Sequence, residues 1–150
     1  MPGNHVATSV ATINARPERV WDVITDPAAV KEFMFGTTLE TDWKAGSPIT
    51  WRGEWEGKAY QDRGRILAVE PGRRLVHTHF SPLSGQEDKP ENYHTLEWTL
   101  EDQGGATRLS LAQDNNPSEE AAAHSKGMWD KLLADVKALA ERTPRPAPPN

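Results

Sequence analysis

The stretch NPSEEAAAHSKGMWDKLLADVKALAER, residues 116–142, decides the fold. Its small and apolar residues are Ala121, Ala122, Ser125, Met128, Trp129, Leu132, Leu133, Val136, Leu139 and Ala140. They recur in steps of three and four and trace one helix face. Asn116 reads as the N-cap, Pro117 suits the first turn, and Glu119 stands where a capping box wants an acid. A helix of roughly 26 residues would span about 39 Å. Such a rod needs a long apolar cover, and the segments before it read as strands. A sheet can cover it only by curving around it. A curved sheet gripping a helix leaves room for a cavity, and a cavity suggests a small-molecule site.

Outward from that helix the pattern is one of strands. His5 to Ala15 alternates and is rich in Val, Thr and Ile, which predicts a first strand. Arg16-Pro17-Glu18 opens a helix with Val20, Trp21 and Ile24 at helical spacing. Asp26-Pro27 ends it and caps a second short helix carrying Val30, Phe33 and Met34. Further strands are predicted over residues 37–43, 47–55, 58–70, 73–80, 92–101 and 107–113, with turns at Glu56-Gly57, Pro71-Gly72 and Asp102-Gln103-Gly104-Gly105. Their short connections demand antiparallel pairing. The prediction is an α+β helix-grip architecture: a seven-stranded antiparallel curved sheet around a long C-terminal helix, with two short helices after strand one. It forms one domain over residues 1–143, and Pro-rich residues 144–150 read as a disordered tail.

The bulk numbers narrow the function classes. The 150 residues carry a formal net charge of −5, which argues against nucleic acid and anionic membrane surfaces as partners. There is no cysteine, hence no disulfide, thiol nucleophile or zinc–thiolate site. Met1 to Ala15 has neither a basic n-region nor a continuous apolar run, and no stretch approaches a membrane span, so a cytoplasmic location is expected.

Four motifs in order carry a family resemblance over about residues 5 to 142. They are Ile13-Asn14-Ala15-Arg16-Pro17-Glu18-Arg19-Val20-Trp21, the run from Gly64 through Val69-Glu70-Pro71-Gly72-Arg73-Arg74-Leu75 to Thr78, Gly105 to Leu111, and Gly127-Met128-Trp129-Asp130-Lys131-Leu132-Leu133. Together with the element order they resemble the START-like (SRPBCC, birch-pollen-allergen-like) superfamily. Within it they are most similar to the subgroup related to the C-terminal domain of the heat-shock-protein-90 ATPase activator. The resemblance implies a helix-grip fold with a tendency to enclose a pocket. It does not imply one function, because members do not share one. The chain departs from the pattern near the end of strand five, where His77 and His79 replace a customary aromatic.

Six tryptophans stand in this chain, and Trp51, Trp55, Trp98 and Trp129 are candidates to wall a pocket for an aromatic or polycyclic ligand. Their alternative is plain core filling. His77 and His79 point the same way along strand five and can serve as polar wall residues. With His94 they would make a metal site, but the spacing supports none. Met34, Phe35 and the loop from Ser81 to Glu91 would surround one end of the grip, and that loop can act as a lid. Arg52 with Glu54, and Arg63 with Arg65, read as solvated outer-face charges, while Asp62 can turn inward with Tyr60.

No nucleophile elbow, P-loop or dinucleotide fingerprint occurs, and no cofactor is expected. The expected function is non-enzymatic binding of a small apolar or aromatic molecule between sheet and helix, by a monomer or homodimer. The expected contacts are Trp51, Trp55, His77, His79, Trp98, Met128, Trp129, Leu132, Met34 and Phe35. Two rivals stand beside it. One is a cyclase- or hydrolase-type enzyme using His77, His79 or Asp62 as acid or base. The other is a co-chaperone-like protein-binding domain.

Overall fold

The computed structural model describes residues 5–34, 36–55, 57–81 and 87–142, with Trp55 and Pro90 described in backbone only. Strand β1 (His5–Ile13) is followed by helices α1 (Pro17–Thr25) and α2 (Pro27–Phe33). Strands β2 (Thr38–Glu40), β3 (Pro48–Trp55), β4 (Lys58–Glu70), β5 (Arg74–His79), β6 (His94–Asp102) and β7 (Thr107–Asn116) come next, and helix α3 (Glu119–Glu141) closes the chain. The seven strands form one antiparallel sheet in the order β1-β7-β6-β5-β4-β3-β2. This is the helix-grip architecture. Strands two to seven pair with their sequence neighbours, as short turns require. The first strand closes against the last, with His5 opposite Asn116 and Ile13 opposite Thr107.

Alternation decides which side chains enter the core. Ile49 and Trp51 of β3, Leu75 and His77 of β5, Leu96, Trp98 and Leu100 of β6, and Leu109 and Leu111 of β7 are all buried on the inner face. Val20, Val23 and Ile24 of α1 and Val30 and Phe33 of α2 close over them. From α3 only Leu133, Val136, Leu139 and Ala140 are buried, all in its C-terminal half. The helix packs mainly on β1, β7, α1 and α2. Arg19 of α1 donates from Nη2 to the Leu139 carbonyl at 3.0 Å, satisfying one of the last carbonyls of α3 with a cation.

The structure corrects three boundaries. The N-cap of α3 is Ser118, whose side chain accepts from the Ala121 N–H at 3.0 Å, and the helix begins at Glu119 rather than at Asn116. Asn116 instead ends β7, because pairing with His5 outcompetes an earlier helical turn. Its buried amide donates to the His5 and Gln113 carbonyls and accepts from the Ser125 hydroxyl, so one side chain ties β1, β7 and α3 together. β2 stops at Glu40, short of Trp43, which takes φ 59 in a turn that Asp42 supports by accepting from Lys44 N. β7 runs three residues past the expected Gln113.

Gly64 marks a close approach of two strands. A Cβ there would lie 1.9 Å from the Thr78 carbonyl oxygen, so the β4 and β5 backbones meet at a point that admits only glycine. Arg63 and Phe80 form a bridge just beyond it.

Candidate functional site

The candidate site is the inner wall of β3 to β6, where His77, His79 and Asp62 stand beside Trp51 and Trp98. His77 is buried in its centre, at 4% exposure. The Trp98 indole Nε1–H donates to His77 Nε2 at 3.1 Å, so that nitrogen must carry a lone pair. The other ring nitrogen, Nδ1, lies 3.0 Å from the Thr78 carbonyl oxygen, which can only accept, so Nδ1 holds the proton. The two bonds specify one neutral tautomer. Burial lowers the pKa of His77 to about 4, against an opposing pull from the Thr78 carbonyl, and His79 adds to the lowering. With both nitrogens engaged and the ring neutral, His77 is a structural acceptor for Trp98.

His79 behaves differently. Its Nε2 lies 2.9 Å from Asp62 Oδ2. The contact exists because the close approach at Gly64 brings Asp62, two residues earlier on β4, against the end of β5. The Trp51 ring packs edge-on against His79 with centroids 4.9 Å apart, and tilted against His77 at 5.3 Å. Two buried polar atoms of the pair, Asp62 Oδ1 and His79 Nδ1, have no hydrogen-bond partner among the described residues. The side chains as wholes retain 16% and 21% of their surface, so the pair stands at the edge of the closed core. One residue pair further out, Tyr60 lies over Gly53, and its hydroxyl meets that of Thr37 at 2.6 Å.

Beneath this wall lies a small, partly open pocket of about 30 Å³, lined among others by Met34, Trp43, Trp51, His77 and Trp98. That is the share of liquid volume taken by about one water molecule. A much larger open groove, about 630 Å³, runs over the outer face along Thr50, Arg63, Arg65, Thr78 and Tyr93. Arg63 there is paired with Asp88 at 3.2 Å, and Arg52 outside β3 with Glu40 at 2.7 Å. These arginines are outer-face charges.

The structure gathers five of the expected site residues, Trp51, His77, His79, Trp98 and Met34, on or beside one wall. Trp129 is half-buried on α3 and donates its indole N–H to Gln113 of β7 at 3.1 Å, and Leu132 is half-buried beside it. Met128 is 54% exposed. Phe35, the Trp55 side chain and residues 82–86 of the expected lid lie outside the described residues, as does the Pro-rich tail. Asp62 was legible only as an inward option of β4; its contact with His79 depends on the register of β4 against β5 and has no signature in local spacing. Among the described residues no three His, Asp or Glu side chains come together as metal ligands, and His94 donates Nδ1–H to the Asp114 carbonyl.

The family model of the activator of Hsp90 ATPase homolog 1-like proteins matches residues 14–141. The chain belongs to that family. Its helix-grip frame recurs in the solution structure of ChR145 from Cytophaga hutchinsonii, 43% identical over 94% of this chain and 97% of that one, with a TM-score of 0.83. It recurs at the level of fold in the Aha1 dimer from Colwellia psychrerythraea, 17% identical over 92% of this chain and 97% of that one, TM-score 0.71. The same holds for CalU16 from Micromonospora echinospora, 22% identical over 89% of this chain and 74% of that one, TM-score 0.68. No curated protein matches the sequence. Among the described residues no helix is long and apolar enough to cross a membrane.

Proposed function

We propose that this member of the family binds a small aromatic molecule against the inner wall of β3 to β6, with Trp51 and Trp98 as flat contacts and Met34 of α2 at the edge. The observation that carries this reading is the uneven closure of the grip. α3 buries side chains only from Leu133 onward, whereas its N-terminal half, including Met128, Trp129 and Leu132, is exposed or half-covered. The sheet wall of β3 to β6 carries the indole and imidazole rings of Trp51, His77 and Trp98, and it is covered by Ile24 of α1 and Val30 and Phe33 of α2 rather than by α3. A void of one-water size cannot hold a ring compound, so binding requires the α2 edge or the helix to yield, which its half-covered face permits.

A protein-docking role has less behind it. The exposed large hydrophobics among the described residues, Val6, Val10, Leu67 and Met128, sit on β1, β4 and α3, and three strands separate β1 from β4. Leu67 therefore shares no patch with Val6 and Val10, and the four do not form one continuous apolar face.

The test is a titration of the full chain with 2-methoxynaphthalene, followed by the indole N–H resonances and by thermal unfolding. Saturable shifts of the Trp51 and Trp98 signals are expected, with a stabilisation of about 3 kcal/mol at one hundred times Kd. Absence of any saturable shift, or shifts confined to the outer-face groove, refutes the assignment.

A further inference from the structure

We propose that the Asp62–His79 pair is the polar recognition element of this wall, and that it selects ring ligands bearing a hydrogen-bond donor, a phenolic hydroxyl above all. The inference rests on the inner-wall binding reading above and adds to it the chemical class of the ligand.

With the imidazole neutral, His79 donates Nε2–H to Asp62 Oδ2, which leaves Nδ1 with a lone pair. Asp62 Oδ1 is a carboxylate oxygen and can only accept. Asp62 Oδ1 is therefore an unpartnered acceptor whatever the state of the imidazole, Nδ1 of the neutral ring is a second, and both atoms are buried. Leaving such atoms unmet destabilises a fold, and native proteins seldom tolerate it without a water or ligand to fill the place. A water can donate there in the free protein, and a ligand hydroxyl that displaces it keeps the bond while its ring covers the wall.

The geometry is held from several sides. The edge-on Trp51 ring fixes the plane of His79, and the Gly64 contact fixes the backbone spacing between Asp62 and His79. His77 cannot compete for the donor, because Trp98 and the Thr78 carbonyl occupy both its nitrogens. Tyr60 and Thr37 likewise satisfy each other. The polar capacity left open on this wall, among the described residues, is that of Asp62 and His79. The flat indole of Trp51 beside an acceptor pair suits a planar ring with a donor on its rim.

The experiment compares 2-naphthol with its methyl ether, 2-methoxynaphthalene, which has the same ring and no donor. Full-chain wild type, Asp62→Asn and His79→Phe are titrated at pH 7, and the imidazole nitrogen resonances of the wild type are recorded with each compound. The wild type should bind 2-naphthol about tenfold more tightly than the ether, as expected for one hydrogen bond to a charged group. That preference should fall to within about twofold in at least one variant while affinity for the ether changes little. The His79 Nδ1 resonance should move with 2-naphthol and stay with the ether, a readout that needs no variant to fold.

Equal affinity of the wild type for the two compounds overturns the inference and leaves inner-wall binding standing. So does a preference that survives in both variants, or an Nδ1 resonance unmoved by 2-naphthol. If neither compound binds, the binding reading and this inference fall together.

Discussion

His77 makes the stability of this protein depend on pH in a way that can be worked from its burial. The ring is neutral in the fold and its pKa is lowered from 6.5 to about 4. Between those two values the unfolded chain binds a proton that the folded chain refuses, so stability falls as pH drops below about 6.5 and the loss levels off below about 4. Over the whole interval the shift corresponds to about 3 kcal/mol, and between pH 8 and pH 5 to about 2 kcal/mol. The perturbation is His77→Gln, which removes the titrating ring but leaves an amide oxygen able to accept from Trp98 Nε1–H. Urea unfolding of both proteins at pH 8 and pH 5, followed by tryptophan fluorescence, isolates the contribution. His5, His79, His94 and His124 are present in both chains, so their effects cancel in the difference. The wild type should lose about 2 kcal/mol more than the variant on acidification, or about 4–8 °C in Tm for a domain of this size. Equal losses in the two proteins would mean that His77 is not held neutral by burial, and the tautomer deduced from its two hydrogen bonds would be wrong.

Two further substitutions test the frame that supports the site. Gly64→Ala places a methyl group 1.9 Å from the Thr78 carbonyl, so the strands must part; a loss of about 3 kcal/mol or more in urea unfolding is expected, and a loss below about 1 kcal/mol would contradict the close approach. Ser118→Ala should cost about 1 kcal/mol, the usual worth of an N-cap, whereas Asn116→Ala removes a buried amide bonded to three elements and should cost about 2–4 kcal/mol; the reverse order would restore Asn116 as the cap.

The site was only partly legible before the fold was known. Trp51 and Trp98 were readable as inward because alternation along β3 and β6 assigns their face from neighbours such as Ile49 and Leu96. His77 and His79 were readable as a same-face pair by the same rule, but not as opposites in role. One has two partners and the other has one, and that difference comes from Trp98 on β6 and Asp62 on β4, 21 and 17 residues away. Met128 shares the helical stripe of Leu132 and Leu133, yet it is exposed, because the stripe says which residues share a face and not how far along the rod the cover extends.

Periodicity and turn chemistry act over a few residues, and they alone settled the element order, the antiparallel meander of β2 to β7 and the long terminal helix. The tertiary structure decided what depends on distant partners. It placed β1 beside β7, gave the cap of α3 to Ser118 because Asn116 is drawn into pairing with His5, and set Asp62 against His79 beside the close approach at Gly64. A hydrogen-bond partner or a backbone approach brought about by strand pairing leaves no mark in local spacing, since it exists only once the strands have met.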